Sequence, residues 1–179
     1  MNIATEFCSQ LAECLVNRIQ IEKTRRDEVC GKGSFASTAL IEFLYRYWVE
    51  FELCNLGCHD IERERKYKKT KYSNKKRKSC DLYFVKDGVE YWMEIKVAYS
   101  DTGYTPQELT SDFDKLDTVF SGIKIYLVVF ISEEESVPGL LKYVIEESKG
   151  RQAKASIRKF PISHTIWNNS HVHVACFEW

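Results

Sequence analysis

The sequence predicts a single domain of the α/β class, built on a mixed central β-sheet that helices flank. Its 179 residues, 44% of them hydrophobic and 13% aromatic, suit one domain with a sizeable core. Strand-like and helix-like segments alternate along the chain, and residues 124–132 are almost continuously apolar, as a strand buried on both faces requires. We expect one domain over residues 1–179, with a helical part at about 1–56, a core at about 37–132, and a helix and an edge strand at about 133–179.

Two helices are predicted before the first strand. Apolar residues four positions apart predict an amphipathic helix from about residue 3 to residues 25–28, and they are Ile3, Phe7, Leu11, Leu15 and Ile19. Residues 37–53 are apolar around most of the helical circumference, which predicts a second, well-buried helix. Residues 60–67 favour a short strand, and the basic run that follows has the composition of a solvated loop.

Residues 80–99 predict a β-hairpin whose register can be counted from its turn. Asp87-Gly88 stands between two β-prone runs and suits a type I′ turn, because both central residues of that turn need positive φ. Counting outward places Asp81 opposite Glu94, unless a bulge at Gly88 breaks the register. Since side chains alternate, the core face carries Leu82, Phe84, Tyr91, Met93, Ile95 and Val97, and the other face carries Asp81, Tyr83, Trp92, Glu94 and Lys96.

The second half of the chain predicts two helices and two strands. Residues 105–108 (Thr-Pro-Gln-Glu) combine a capping box with proline at the first helical position, so a helix begins there and ends by Gly122. Its expected buried stripe is Leu109, Phe113, Leu116 and Phe120. The apolar strand at 124–132 follows, then a helix around 140–148, a loop through Pro161 and an alternating strand near 171–177.

The hairpin register brings two acidic side chains together. Asp81 and Glu94 form a pair of the closer kind, with Cα atoms about 4.5 Å apart. Like charges that close destabilise a sheet. A hard divalent ion such as Mg²⁺, which takes carboxylate ligands, would turn the repulsion between the two carboxylates into a net attraction to the ion. With Lys96 on the same face, this set predicts a divalent-metal site that cleaves phosphodiester bonds. The alternative is an exposed strand face whose charges happen to alternate.

Asp81, followed after twelve intervening residues by Glu94-Ile95-Lys96, resembles the motif of the PD-(D/E)xK nuclease superfamily. The resemblance covers about residues 37–132, because the order of hairpin, helix and strand also matches, and it departs at Cys80, where that superfamily has proline. It implies a restriction-endonuclease-like core with an added N-terminal helix. It also implies an endonuclease or exonuclease that depends on Mg²⁺ or Mn²⁺.

The resemblance also implies roles for individual residues. Asp81 and Glu94 would be metal ligands, with the carbonyl of Ile95 as the third ligand. Lys96 would hold or deprotonate the attacking water and offset charge on the phosphate.

Members of the superfamily often add a glutamate from the helix before the hairpin. Glu42 is the first candidate because it is a lone charge among apolar neighbours, although an exposed carboxylate at the helix edge is an equal alternative. Glu64 is the second candidate. We expect Gln107, Asp112 and Lys115 to lie on a solvated helix face.

The charge of the chain is strongly polarised. Formal net charge is zero, yet residues 61–80 contain ten Lys or Arg and only two Glu. This run leads into the strand of Asp81, so it could guide a phosphate backbone to the metal. The expected nucleic-acid ligands, with DNA favoured over RNA, are Lys68, Lys69, Lys71, Lys75, Lys76, Arg77 and Lys78. A plain solvated loop is the alternative.

Composition also excludes several classes of protein. The longest apolar run, residues 125–131, is far too short to cross a bilayer, so no membrane partner is expected. Residues 1–15 do not have the basic region and apolar block that are typical of a signal peptide, and the seven cysteines are scattered, so we expect a reducing, cytoplasmic setting. A homodimer would suit an enzyme that cuts both strands of a duplex.

Two other functions stay open at this point. A catalytically inactive protein of nuclease fold could bind nucleic acid or a protein partner. Alternatively, the basic loop could dock an acidic partner in a defence or toxin system.

Overall fold

A six-stranded mixed β-sheet with helices against both faces forms the centre of the protein, which confirms the predicted α/β class. The structure is a computed structural model that describes residues 3–30, 42–67, 79–99, 104–133, 136–162 and 170–179. The elements are α1 (Ile3–Cys30), α2 (Glu42–Asn55), β1 (His59–Arg63), β2 (Leu82–Lys86), β3 (Val89–Tyr99), α3 (Pro106–Asp117), β4 (Ile123–Ser132), α4 (Gly139–Gly150), β5 (Lys154–Ile162) and β6 (Ser170–Glu178).

The strands are ordered β1-β2-β3-β4-β6-β5 across the sheet. Strands β3 and β4 are parallel, and the other neighbouring pairs are antiparallel. A parallel pair needs a crossover connection, and α3 lies between β3 and β4 in the chain. The crossover helix therefore comes directly after the hairpin strand that carries Glu94 and Lys96.

The hairpin has the predicted register. Leu82 pairs with Met93 and Phe84 with Tyr91. Asp87 and Gly88 both have positive φ, 51° and 75°, as a type I′ turn requires. The pairing is regular from Lys86 and Val89 outward, so no bulge shifts Asp81 away from Glu94.

Both faces of the hairpin are buried, whereas the sequence assigned one face to the core. One apolar layer lies between the sheet and helices α1 and α2. A second layer lies between the sheet and helices α3 and α4, and it contains Tyr83 and Trp92 of the other hairpin face. The face that carries Glu94 is therefore part of the protein interior.

Three expectations about the C-terminal half were wrong. The segment around Pro161 is a strand, β5, and proline is tolerated there because β5 is an edge strand. The final strand β6, expected at an edge, lies between β4 and β5 and is buried on both faces from Val172 to Phe177. Phe120 is 81% exposed, because α3 ends at Asp117 before the stripe can continue.

The first half of the chain follows the predicted elements closely. Helix α1 has the predicted extent, and α2 matches the second helix from residue 42 onward; residues 37–41 lie outside the described part. The predicted short strand is β1, which ends at Arg63, and Lys66 makes an isolated bridge to Ser79.

None of the helices in the described ranges has both the length and the apolarity needed to cross a membrane.

Candidate active site

Asp81 and Glu94 meet at the open end of the hairpin. Asp81 directly precedes β2 and accepts a 2.7 Å hydrogen bond at Oδ2 from the backbone N–H of Ile95. Glu94 belongs to β3 and is only 2% exposed. The structure thus brings together the two carboxylates that the sequence singled out, in surroundings that are largely shielded from water.

Burial makes both carboxyl groups of the site weaker acids than they would be in water. Burial raises the pKa of Glu94 to about 8, and the charge of Asp81 contributes further. Burial also raises the pKa of Asp81, although the Ile95 N–H and Arg46 oppose this. Glu94 therefore holds a proton more tightly than an exposed glutamate does.

Arg46 of α2 joins three carboxyl groups from three parts of the chain. Its Nη2 lies 2.7 Å from Asp81 Oδ1 and 3.5 Å from Glu42 Oε1, and its Nη1 lies 2.6 Å from Glu64 Oε1. We call this set, Arg46 with Glu42, Glu64 and Asp81, the Arg46 cluster. Both glutamates considered as the additional acid thus reach the site through the same guanidinium.

Glu42 is more buried than Glu64. The Glu64 side chain is 58% exposed, compared with 35% for Glu42. Burial raises the pKa of Glu42, and the nearby charge of Asp81 raises it further. No sequence pattern indicated Arg46, because its partners come together only in the folded chain.

A second cluster lies on the α3 side of Glu94. Lys115 Nζ is 3.4 Å from Glu94 Oε2 and forms an ion pair with Asp112. We call these three residues the Lys115 cluster. The expectation that Asp112 and Lys115 face solvent was wrong, because Asp112 is 3% exposed and Lys115 points at Glu94.

A signal for Asp112 was present in the sequence. The capping box at Thr105 and Glu108 fixes the start of α3. From Leu109 onward, positions three and four apart face the sheet, and Asp112 falls on that stripe between Leu109 and Phe113. A carboxylate on the buried stripe of a helix next to the motif should have been included among the candidates. Gln107 is exposed as expected.

Two tyrosines complete the surroundings of the site. Tyr67 donates a short hydrogen bond from its hydroxyl to Glu94 Oε1. Tyr126 of β4 donates a 2.5 Å hydrogen bond to the carbonyl of Leu109, which ties α3 to the sheet. Burial raises the pKa of Tyr126, and so do the charges of four carboxylates that surround it, Asp112, Glu94, Glu42 and Asp81.

Lys96 lies two residues beyond Glu94 and is half-buried. Its Nζ is 5.0 Å from the centre of the Tyr104 ring, a cation–π contact. Its charge lowers the pKa of Glu42, so it lies near the Arg46 cluster. The expected nucleic-acid ligands from Lys68 to Lys78 lie outside the described residues.

The side chains around Asp81 fit a hard divalent ion with few protein ligands. No three His, Cys, Asp or Glu side chains of the described residues are arranged to hold a metal by themselves. The N–H and C=O of a strand residue point to the same neighbour. Because the Ile95 N–H faces Asp81, its carbonyl faces that way too. Mg²⁺ suits two carboxylates and a carbonyl of this kind, with water and phosphate as the remaining ligands.

Comparison of the chain with protein-family models, curated proteins and solved structures gives no match. The functional conclusion therefore rests on the geometry and electrostatics of the site.

Proposed function

We propose that this protein is a nuclease that depends on Mg²⁺ or Mn²⁺ and hydrolyses phosphodiester bonds, with DNA as the substrate. The observation that carries the proposal is the meeting of Asp81 and Glu94, two carboxyl groups of raised pKa, with Lys96 on the same strand as Glu94. Strongly perturbed carboxyl groups with specific charge partners are typical of functional sites. The resemblance to the PD-(D/E)xK motif, a cytoplasmic location and a homodimer belong to the same proposal.

The roles follow from the position of each side chain. Asp81, Glu94 and the Ile95 carbonyl would hold the ion, which when bound polarises a phosphoryl oxygen and lowers the pKa of a water ligand. Lys96 would orient the attacking water and offset charge on the phosphate. Arg46, now paired with Asp81 at 2.7 Å, would stabilise the negative charge that accumulates as substrate binds.

A purely structural ion network explains the site less well. Buried ion pairs are weak contributors to stability, because the cost of desolvation offsets their attraction. Here, burial raises the pKa of both Asp81 and Glu94, although cations lie beside them. An arrangement selected for stability alone would not leave two carboxyl groups in that state.

A cleavage panel tests the proposal. Linear, circular and single-stranded DNA and RNA are incubated with the protein in Mg²⁺, in Mn²⁺ and in a chelator. We expect cleavage that requires the ion and falls about 10²-fold or more in Lys96→Ala, the usual loss when a proton-transfer group is removed. Lys142→Ala, on an exposed position of α4, is the matched control and should cut at the parent rate. Equal rates for Lys96→Ala and the parent would refute the role of Lys96.

One observation favours a second candidate, a nuclease-like fold that binds nucleic acid or protein without cutting. Arg46 pairs with Asp81, and Lys115 pairs with Glu94, so each of the two carboxylates has a cation of the chain beside it. Protein that binds no Mn²⁺ and cuts nothing, yet retards DNA in a gel, would support this candidate over the enzyme.

A further inference from the structure

The ammonium of Lys115 lies between two buried carboxyl groups. It contacts Glu94 Oε2 at 3.4 Å on β3 and pairs with Asp112 one helical turn earlier on α3. The two acids are 2% and 3% exposed. Water therefore reaches neither carboxylate freely, and the charge between them comes from Lys115.

The fold fixes the position of this ammonium. Helix α3 begins at a complete capping box, with Thr105 and Glu108 exchanging side-chain and backbone hydrogen bonds. The Tyr126 hydroxyl holds the carbonyl of Leu109 at 2.5 Å. Lys115 thus projects from a helix that is anchored both at its start and against the sheet, and not from a loop.

Glu94 has a carboxylate on one side and an ammonium on the other. The charge of Asp81 raises the pKa of Glu94, and the Lys115 ammonium donates a hydrogen bond to Glu94 Oε2. In phosphodiesterases with two metal ions, the ions lie about 3.5–4 Å apart and act on both the attacking and the leaving oxygens. A second divalent ion would need two acids around it, one of them shared with the first ion. Glu94 and Asp112 surround the Lys115 ammonium in this way, and Glu94 would be the shared acid.

We propose that Lys115 takes the second cation position, so that the centre binds a single divalent ion and the Lys115 ammonium compensates charge on the α3 side. This inference rests on the proposed function, since it assigns the first cation position to the ion held by Asp81 and Glu94. It makes Lys115 a charge-compensating residue of the site, in addition to Lys96.

Counting bound Mn²⁺ by electron paramagnetic resonance tests the inference without any cleavage. We expect one ion per wild-type chain and two per Lys115→Ala chain, because Glu94 and Asp112 then lack their cation. Lys115→Arg, which keeps the charge, should return the count to one. The double variant Asp112→Asn with Lys115→Ala should also bind one ion, since it removes the second acid as well.

The outcomes separate this inference from the proposed function. Two ions in the wild-type protein, or one ion in folded Lys115→Ala, would overturn the inference alone. A wild-type protein that binds no Mn²⁺ would overturn the proposed function together with it. If Lys115→Ala does not fold, the count on the wild-type chain decides: one ion supports the inference and two overturn it.

Discussion

The Arg46 cluster and the Lys115 cluster flank the same pair of carboxylates but differ in their contact with water. Arg46 gathers acids from three separate parts of the chain, and one of them, Glu64, has a side chain that is 58% exposed. Lys115 pairs with two acids that are almost fully buried. Water can therefore share the charge compensation in the first cluster, whereas in the second the Lys115 ammonium provides it, with a hydrogen bond from Tyr67 at Glu94.

The exposure of the paired acids, more than the number of ion pairs, is therefore expected to decide how much each cation contributes to the free energy of unfolding. Arg46 has three partners and Lys115 has two. We nevertheless expect the loss of Lys115 to cost more. Substitutions at Lys115, Arg46 and Glu64, together with the pH dependence of stability, test this order.

The largest effect concerns the pH dependence of stability in the metal-free protein. The pKa of Glu94 is about 8 when folded, above its ordinary value of 4.5, so the folded state binds the proton more tightly than the unfolded state. The resulting stabilisation is complete below pH 4.5 and is lost as pH rises through about 8, a change on the order of 5 kcal/mol. Urea unfolding in a chelator from pH 5 to pH 9 measures it.

Glu94→Gln is the control for this pH dependence. Glutamine does not ionise, so the fall in stability between pH 5 and pH 8 should flatten. An unchanged slope in Glu94→Gln would show that another group causes it.

Removing Lys115 should be the most damaging single change among the cations. Lys115→Ala leaves the buried Glu94 and Asp112 without their cation, although Glu94 keeps its hydrogen bond from Tyr67, and breaking a buried pair costs about 3 kcal/mol or more. Lys149→Ala removes a pair with the same spacing on α4, formed by Lys149 and Glu146. Both side chains of that pair are about two-thirds exposed, so we expect a loss below about 0.5 kcal/mol. Equal losses in the two variants would contradict the role of burial.

Removing Arg46 should have an intermediate effect. Arg46→Gln removes the guanidinium that lies 2.7 Å from Asp81 Oδ1, while Glu64 and, in part, Glu42 remain in contact with water. We expect a loss of about 1.5–2 kcal/mol in urea unfolding, at the lower end of the range for a hydrogen bond to a charged group. Arg25→Gln, at a side chain that is 66% exposed, is the control. A loss larger than that of Lys115→Ala would reverse the order of the two clusters.

The smallest effect is expected at Glu64. Its exposed carboxylate pairs with Arg46 at 2.6 Å, and exposed pairs contribute little. Glu64→Gln should therefore change the free energy of unfolding by less than about 0.5 kcal/mol. A loss above 1 kcal/mol would mean that Glu64 is an integral part of the site.

Local rules were sufficient to predict much of the fold. The Asp87-Gly88 turn set the hairpin register, and the Thr105 capping box set the start of α3, because both signals act between residues close in sequence. Pro161 led to the wrong prediction of a loop in place of β5. A strand can contain proline at the edge of a sheet, and only the order of the strands shows that β5 lies there.

The site likewise contains residues that local sequence patterns predict and residues that they do not. The meeting of Asp81 and Glu94 followed from the hairpin alone. Arg46 and Tyr67 reach the site from other parts of the chain, 35 and 27 residues away from their partners, so no local pattern indicated them. Asp112 could have been found from the helical period, because it lies on the buried stripe of α3.

Mn²⁺ titration of the wild-type protein and of Asp81→Asn, followed by electron paramagnetic resonance, tests the central claim most directly. The account predicts that Asp81→Asn loses tight binding while Glu146→Gln, at a side chain that is 67% exposed on α4, binds as the parent does. Asp81→Asn protein that binds Mn²⁺ as tightly as the parent would contradict a divalent ion held between Asp81 and Glu94.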